Sequence, residues 1–247
     1  MHVKYIPNIY ATLQTLPALR GDKKNQLRNI QSKMTLRVNE IFYSIQGEST
    51  YVGRPCVFVR LTGCNLRCAY CDTRYAWDAG EEMSVDRILM RVAAYDCPLV
   101  EITGGEPLLQ AETPALVSAL LRKGYEVLME TNGSLDIRKA DAACVKIVDI
   151  KCPGSGESRQ NDFENLNRLG QRDQVKFVIG NRDDYEYAKD IVLNRCAGAE
   201  AGHLLFSPVS GKLPPDRLAR WILDDRLRVR LQIQLHTILW PGTERGV

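Results

Sequence analysis

The sequence predicts an α/β protein built on parallel strands, an open, partial barrel of the (βα)6 type. Three observations predict it. After Met34, short runs rich in apolar and β-branched residues alternate with stretches of helical periodicity. About six such units follow one another from residue 55, short of the eight units and about 250 residues that close a barrel. The residues that carry chemistry fall just past the C-terminal ends of the strands, the face on which parallel α/β folds build sites.

Residues 55–62 (PCVFVRLT) read as the first strand, ending where a cysteine-rich loop begins. Residues 84–95 read as a helix, with Ser84 as its cap and Val85, Ile88, Leu89 and Val92 on one face. Leu99 to Thr103 is the next strand and opens into Gly104-Gly105-Glu106-Pro107. Thr113-Pro114 starts a second helix with a cap and a first-turn proline, Leu116, Val117, Leu120 and Leu121 form its apolar stripe, and Gly124 stops it. Residues 125–131, 144–150, 174–179 and 204–207 supply four more strands. Helices fit 182–196 and 215–224, and a terminal strand fits 229–235. Residues 153–161 (PGSGESRQN) read as a flexible loop.

At 247 residues the chain accommodates one domain, 34–247, preceded by a basic extension over 1–33 that is expected to be disordered or non-native. That extension holds six Lys/Arg and one acid, leaving 27 basic against 29 acidic groups in the body, which argues against a nucleic-acid partner. No apolar run approaches the roughly 18 residues that span a bilayer, so no membrane partner is expected. Eight cysteines without a secretory signal point to a reducing, cytoplasmic setting.

Cys64, Cys68 and Cys71 stand at the spacing Cys-x3-Cys-x2-Cys. Three thiolates can hold three irons of a four-iron, four-sulfur cluster and leave the fourth open for a substrate or cofactor, unlike a simple electron carrier with four Cys ligands. Structural zinc is the competing reading, but it wants four ligands, and the three His lie at 2, 203 and 236, away from the motif. The remaining thiols, Cys56, Cys97, Cys144, Cys152 and Cys196, lack motif spacing and read as buried or incidental.

With Tyr70 just before the last Cys and Gly104-Gly105-Glu106-Pro107 after a strand, this pattern resembles the radical S-adenosylmethionine superfamily. Over 34–247 the chain further resembles the 7-carboxy-7-deazaguanine synthase family, through Asn39-Glu40-Ile41-Phe42-Tyr43-Ser44-Ile45-Gln46-Gly47-Glu48, Gly53-Arg54-Pro55, Phe58-Val59-Arg60-Leu61, Cys71-Asp72-Thr73, Glu130-Thr131-Asn132-Gly133, Asp149-Ile150-Lys151 and the tail 234–240. One departure is Ser49, where the family often has Gly; a hydroxyl side chain fits there if φ is negative.

The resemblance implies a 4Fe-4S cluster on Cys64, Cys68 and Cys71, with S-adenosylmethionine chelating the fourth iron, and magnesium at Thr73. From the residues alone, Thr73 is equally a loop hydroxyl bonding its own backbone. It implies S-adenosylmethionine contacts at Tyr70, Asp72, Gly105, Glu106 (as ammonium partner), Asp149, Ile150, Lys151, Ser207 and Ser210. It implies substrate contacts at Ile45, Gln46, Gly47, Thr103 and Arg60, the last of which could instead be a surface Arg paired to a neighbour. The implied reaction takes 6-carboxy-5,6,7,8-tetrahydropterin to 7-carboxy-7-deazaguanine with loss of ammonia. An electron donor such as flavodoxin or ferredoxin would reduce the cluster, and the assembly would be a homodimer. His236 and Trp240 read as lid residues or as tail packing. A glycyl-radical activating enzyme and a non-catalytic iron–sulfur module are the alternatives. The pterin-like segment 45–47 opposes the first, and the incomplete Cys set opposes the second.

Overall fold

The computed structural model describes residues 34–196, 201–243 and 245–247; the basic extension over 1–33 lies outside them. Thr35–Ile45 (β1) pairs antiparallel with Pro55–Leu61 (β2) and, on its other side, with the short Glu81–Ser84 (β3). Strand β1 precedes the strand read as first in the sequence. Its alternation is interrupted by a bulge between Val38 and Glu40, which shifts the phase of its buried residues and conceals the period of two.

Leu99–Gly104 (β4), Glu126–Thr131 (β5), Val145–Ile150 (β6), Gln174–Ile179 (β7), Leu204–Pro208 (β8) and Arg230–Leu231 (β9) continue the sheet. Its order is β3-β1-β2-β4-β5-β6-β7-β8-β9, parallel at every pairing from β2 to β9, with β3 and β9 as unpaired edges. This is an open sheet, as a partial barrel requires.

Helices cover one face. Val85–Ala93 (α1) is capped by Ser84, whose hydroxyl accepts from Arg87 N. Thr113–Arg122 (α2) starts at the residue expected to cap it, so the cap moves to Glu112: Thr113 is helical, and its hydroxyl donates to Pro107 O. Gly124, at φ +88°, follows the end of α2. Two connections depart from the expected βα repeat. Between β5 and β6 the chain makes only a 3-10 turn at Ile137–Lys139, and between β6 and β7 it makes the four-residue Glu164–Asn167 (α3). Arg182–Arg195 (α4) and Pro215–Asp224 (α5) flank β8, where Tyr185 packs edge-on against Phe206 and tilted on Trp221.

The parallel strands read as near-continuous apolar runs because their helix-covered face carries Val57, Val59, Val100, Ile102, Val127, Met129, Val148, Ile150, Val175 and Phe177, all buried. Their other face is mixed, setting charged and polar groups among buried Phe58, Leu128, Ile147 and Leu205. Cross-strand register aligns Glu40 with Arg60 and Arg60 with Thr103, and further along aligns Asp149 with Lys176 and Lys176 with Leu205. Glu101 and Glu130 stand on the same face of β4 and β5 by the alternation of side chains. This mixed face lines the lumen of the partial barrel.

The expected terminal strand is cut short at Leu231. Gln232 N still donates to Phe206 O, but Leu235 N then donates to Gly47 O (3.0 Å) and Gln234 Nε2 to Glu48 Oε1 (2.8 Å), turning the chain into Leu235–Leu239 (α6). The tail thereby joins the turn between β1 and β2 along the open side of the barrel.

Within that turn Ser49 has φ +64°, the left-handed region, so the condition under which a serine replaces glycine without strain is not met. Its hydroxyl accepts from Tyr51 N (3.1 Å), which offsets part of the cost. Ser49→Gly is expected to leave stability unchanged or raise it by up to about 1 kcal/mol in denaturant melts; a loss larger than that would show that the hydroxyl bond outweighs the strain.

Candidate active site

The cysteine loop after β2 has little regular structure and is held by the loops that follow the next three strands. Gly105 N donates to Leu61 O and Glu106 N to Gly63 O (2.8 Å). After β5, Asn132 Nδ2 donates to Asn65 Oδ1 (3.0 Å), and Asn65 Nδ2 donates to Ser134 Oγ (2.9 Å). After β6, Ala69 N donates to Ser155 O (2.9 Å) and Arg67 N to Glu157 Oε1 (2.7 Å).

The glycine pair has a visible reason. A Cβ on Gly105 would lie 2.1 Å from Gly63 O and 2.8 Å from Cys64 Cβ, and one on Gly104, at φ +145°, would lie 2.2 Å from Leu61 O. The close approach is to the cysteine loop itself. Glu106 is fully buried, and its carboxylate accepts from Leu108 N, Thr131 Oγ1 and Asn132 N (2.7 Å). Desolvation raises its pKa against these hydrogen bonds. Its oxygens accept from three groups of the chain, so Glu106 braces the loop after β5.

Residues 153–161 are also more constrained than expected. Two 3-10 turns run through them, Ser155 is buried with its hydroxyl on Cys152 O, Gly154 N donates to buried Asp184, and Asn161 bridges Lys151 N and Lys151 O.

The three motif thiols are partly exposed, whereas Cys56, Cys97, Cys144, Cys152 and Cys196 are buried and all eight are free. Burial pushes the Cys68 thiol up to about 11, opposed by Lys151, and raises that of Cys71. Among the described residues, no three His, Cys, Asp or Glu side chains converge on one metal ion. Asn132 Nδ2, 3.8 Å from Cys64 Sγ, adds a weak donor to one sulfur.

Around this loop stand the residues expected to meet S-adenosylmethionine. Tyr70 OH donates to Val178 O (3.5 Å) and Lys151 Nζ pairs with Asp149 Oδ2 (2.8 Å). Asp72 accepts from Thr73 Oγ1 (2.7 Å). Desolvation pushes its carboxyl up, but the Thr73 bond and the positive charges of Lys176, Arg60 and His236 hold it below the usual range. The Thr73 hydroxyl thus serves a carboxylate and not its own backbone. Ile150 turns its side chain into the core, leaving only its backbone for a ligand. Ser207 is buried on the lumen face, whereas Ser210 is exposed.

The expected substrate residues lie in the lumen. Arg60 Nε donates to Glu40 Oε1 (2.7 Å), to which Tyr75 OH also donates, and its guanidinium lies over the rings of Phe42 and Tyr75 at 5.6 and 5.7 Å. It is paired to a neighbour, yet inside the lumen and not on the surface. Thr103 is buried beside it in the next strand. Ile45 ends β1. Gln46 uses its backbone N and O on Arg54 O and Gly53 N, its Nε2 donates to Glu101, and its Oε1 accepts from Glu48 N (2.8 Å). A Cβ on Gly47 would lie 2.7 Å from His236 Nδ1, so this glycine lets the tail pack close, which is the role His236 shows here.

Residues 58–149 match the family model of the Radical SAM superfamily. The 7-carboxy-7-deazaguanine synthase of Chlorobaculum tepidum is 44% identical over 226 residues, covering 88% of this chain and 100% of the relative. The one from Koribacter versatilis is 43% identical and covers 86% of this chain and 100% of the relative. The chain belongs to the 7-carboxy-7-deazaguanine synthase family. The crystal structure of QueE from Escherichia coli shares its fold, with a TM-score of 0.69 at 23% identity, covering 85% of this chain and 98% of that chain.

Four lumen groups of this synthase-family chain escaped the sequence analysis as site residues: Glu48, Glu101, Glu130 and Lys176. Lys176 is buried, with Nζ 2.9 Å from Glu48 Oε2, paired with Glu130 and 3.8 Å from Asp149 Oδ2. Desolvation would discharge it, but the three carboxylates win and hold it protonated. Glu101, buried against Gln46, is pushed well above the carboxylate range by desolvation and by Glu130 and Glu48. For Glu101, Glu130 and Lys176 the signal was present as single charges in otherwise apolar strand runs, VEITG, VLMET and QVKFVI.

Gly105→Ala is expected to cost about 1–3 kcal/mol in denaturant melts, because backbone must move to admit the methyl; an unchanged midpoint would show that the two loops separate freely. Glu101 binds its proton more tightly in the folded chain, so its contribution to stability is complete below the ordinary Glu value and is lost as pH rises through the elevated one. Glu101→Gln should therefore lose less melting temperature than wild type between pH 5 and pH 9; equal losses would mean that Glu101 stays charged in the fold.

Proposed function

We propose that this chain is a carbon–nitrogen lyase that converts 6-carboxy-5,6,7,8-tetrahydropterin to 7-carboxy-7-deazaguanine with loss of ammonia. The observation that carries the reading is the placement of a three-thiol loop at the mouth of a buried polar lumen, in a member of a family whose relatives bear this activity in their names. When bound, the cluster and S-adenosylmethionine supply a one-electron route to abstraction of an unactivated hydrogen.

The chain's own residues position and enclose. Cys64, Cys68 and Cys71 hold the cluster, and Tyr70, Asp72, Gly105, Glu106, Asp149, Ile150, Lys151, Ser207 and Ser210 surround the cofactor, with Glu106 acting through the loop it braces. Arg60, fixed by Glu40, takes the substrate carboxylate. Glu101, Glu130 and Lys176 give the lumen both acceptors and a donor for a heterocycle edge, with Ile45, Gln46, Gly47 and Thr103 as its walls. Magnesium, a hard cation, suits the hydroxyl of Thr73 and the carboxylate of Asp72, which stand 2.7 Å apart. A flavodoxin or ferredoxin as reductant and a homodimeric assembly rest on the resemblance. Among the described residues no helix is long and apolar enough to cross a membrane.

The test is anaerobic reconstitution with iron and sulfide, then reduction in the presence of S-adenosylmethionine, magnesium and the tetrahydropterin, with 7-carboxy-7-deazaguanine as the expected product. Cofactor cleavage without it would reopen the substrate, and no cleavage by a fully loaded cluster would end the catalytic reading. Arg60→Ala should raise KM for the pterin about tenfold or more, the scale of a lost charge-assisted hydrogen bond, with the cluster absorbance unchanged. An unchanged KM would remove Arg60 from the substrate site.

A further inference from the structure

Buried side-chain polar atoms in a folded chain nearly always have a partner, so each exception calls for a reason. Among the described residues four such atoms have none: Asn39 Oδ1, Asp149 Oδ1, and both Nε2 and Oε1 of Gln232. Gln232 is 5% exposed, and its whole carboxamide, with capacity for two donated and two accepted hydrogen bonds, is unspent. Its place in the fold is specific. The register runs Asp149 to Lys176 to Leu205 to Arg230 across β6, β7, β8 and β9, and Gln232 N donates to Phe206 O (2.9 Å). Alternation along the chain puts Gln232 on the face of Arg230 and Leu205, the lumen face, beside buried Ser207. Asp149, which holds another of the unpartnered atoms, stands on the same face.

We propose that Gln232 is a further binding residue of the lumen, whose carboxamide takes the paired donor–acceptor edge of a nitrogen heterocycle. This rests on the functional reading above, under which two such heterocycles enter the lumen, the adenine of S-adenosylmethionine and the pterin ring. Each presents a ring-nitrogen acceptor next to an amino donor, which one planar amide can meet with two hydrogen bonds. Leaving the amide unsatisfied costs the ligand-free fold its desolvation, and the bound heterocycle returns it. The segment that follows, pinned to the β1–β2 turn through Gln234 and Leu235, sets how far Gln232 reaches into the lumen.

The distinguishing experiment compares wild type with Gln232→Met, which keeps the length of the side chain and removes the amide, and with Gln232→Glu, which keeps an acceptor and removes the amino donor. Two readouts are taken on the anaerobically reconstituted enzyme: the ligand-free melting temperature, and the dissociation constants for S-adenosylmethionine and for the tetrahydropterin measured separately by calorimetry. Gln232→Met is expected to melt about 2–4 °C higher than wild type, as removal of an unsatisfied buried amide should allow. It should bind one of the two ligands about tenfold or more weakly, and Gln232→Glu should weaken the same ligand. Loss confined to S-adenosylmethionine assigns the amide to adenine, and loss confined to the tetrahydropterin assigns it to the pterin ring.

A lower melting temperature for Gln232→Met would show that the amide has a partner within the fold and would overturn the proposal. So would dissociation constants within twofold of wild type for both ligands. If wild type forms product and both variants keep both affinities, this inference fails alone. If wild type binds S-adenosylmethionine but no pterin, and Gln232→Met loses that binding, the inference stands and the substrate reading fails. Should Gln232→Met not fold, Gln232→Glu carries the same affinity comparison.

Discussion

The cysteine loop has little regular structure to hold it, so its shape depends on a backbone-to-backbone contact that only glycine permits. Gly104 and Gly105 press against Leu61, Gly63 and Cys64 at distances where a methyl group would overlap the main chain. Glu106 then locks the next loop in place by accepting from Leu108 N, Thr131 and Asn132 N. The chain is cross-braced through strand ends: the loop after β2 leans on the loops after β4, β5 and β6, and each of those is fixed by a strand buried in the sheet. Rigidity reaches an irregular loop by this route, and precise placement of three thiols does not need a helix.

Behind the loop, the sheet resolves an electrostatic difficulty. A parallel sheet in a protein of this size is ordinarily covered on both faces by apolar groups, yet here one face carries Glu101, Glu130, Asp149 and Lys176. Lys176 makes this tolerable by sitting among Glu48, Glu130 and Asp149. Removing it would leave carboxylates facing one another in a desolvated space, the costly kind of loss for buried charge. Glu101 lies at the edge of this compensation and retains its proton more strongly.

Much of this was legible in the sequence, and the places where it was not have physical reasons. The cysteine spacing, the apolar strand runs and the positions of the motif loops follow from local pattern, which one chain displays directly. Strand β1 was hidden because a bulge at Val38–Glu40 breaks its alternation. Whether Ser49 meets its condition was not legible, because the sign of φ is set by a turn between two strands and is not written in the residue. The bracing role of Glu106 was not legible because the groups it accepts from lie two to twenty-six positions away, a coincidence only the fold creates. Gln46 likewise reads as a free amide until Glu101, fifty-five residues on, takes its Nε2.

The seam along the open side of the barrel has a consequence for how the molecule comes into being. Gln234 and Glu48 are 186 residues apart in the chain, yet their bond joins the first hairpin to the tail. The strands between them can pair one after another as they are synthesised, but the lumen acquires its last wall only when the C-terminal residues have left the ribosome. Construction therefore runs in a fixed order, scaffold first and enclosure last. A chain that stops at Ile233 would retain every strand of its sheet while losing both bonds that close the seam.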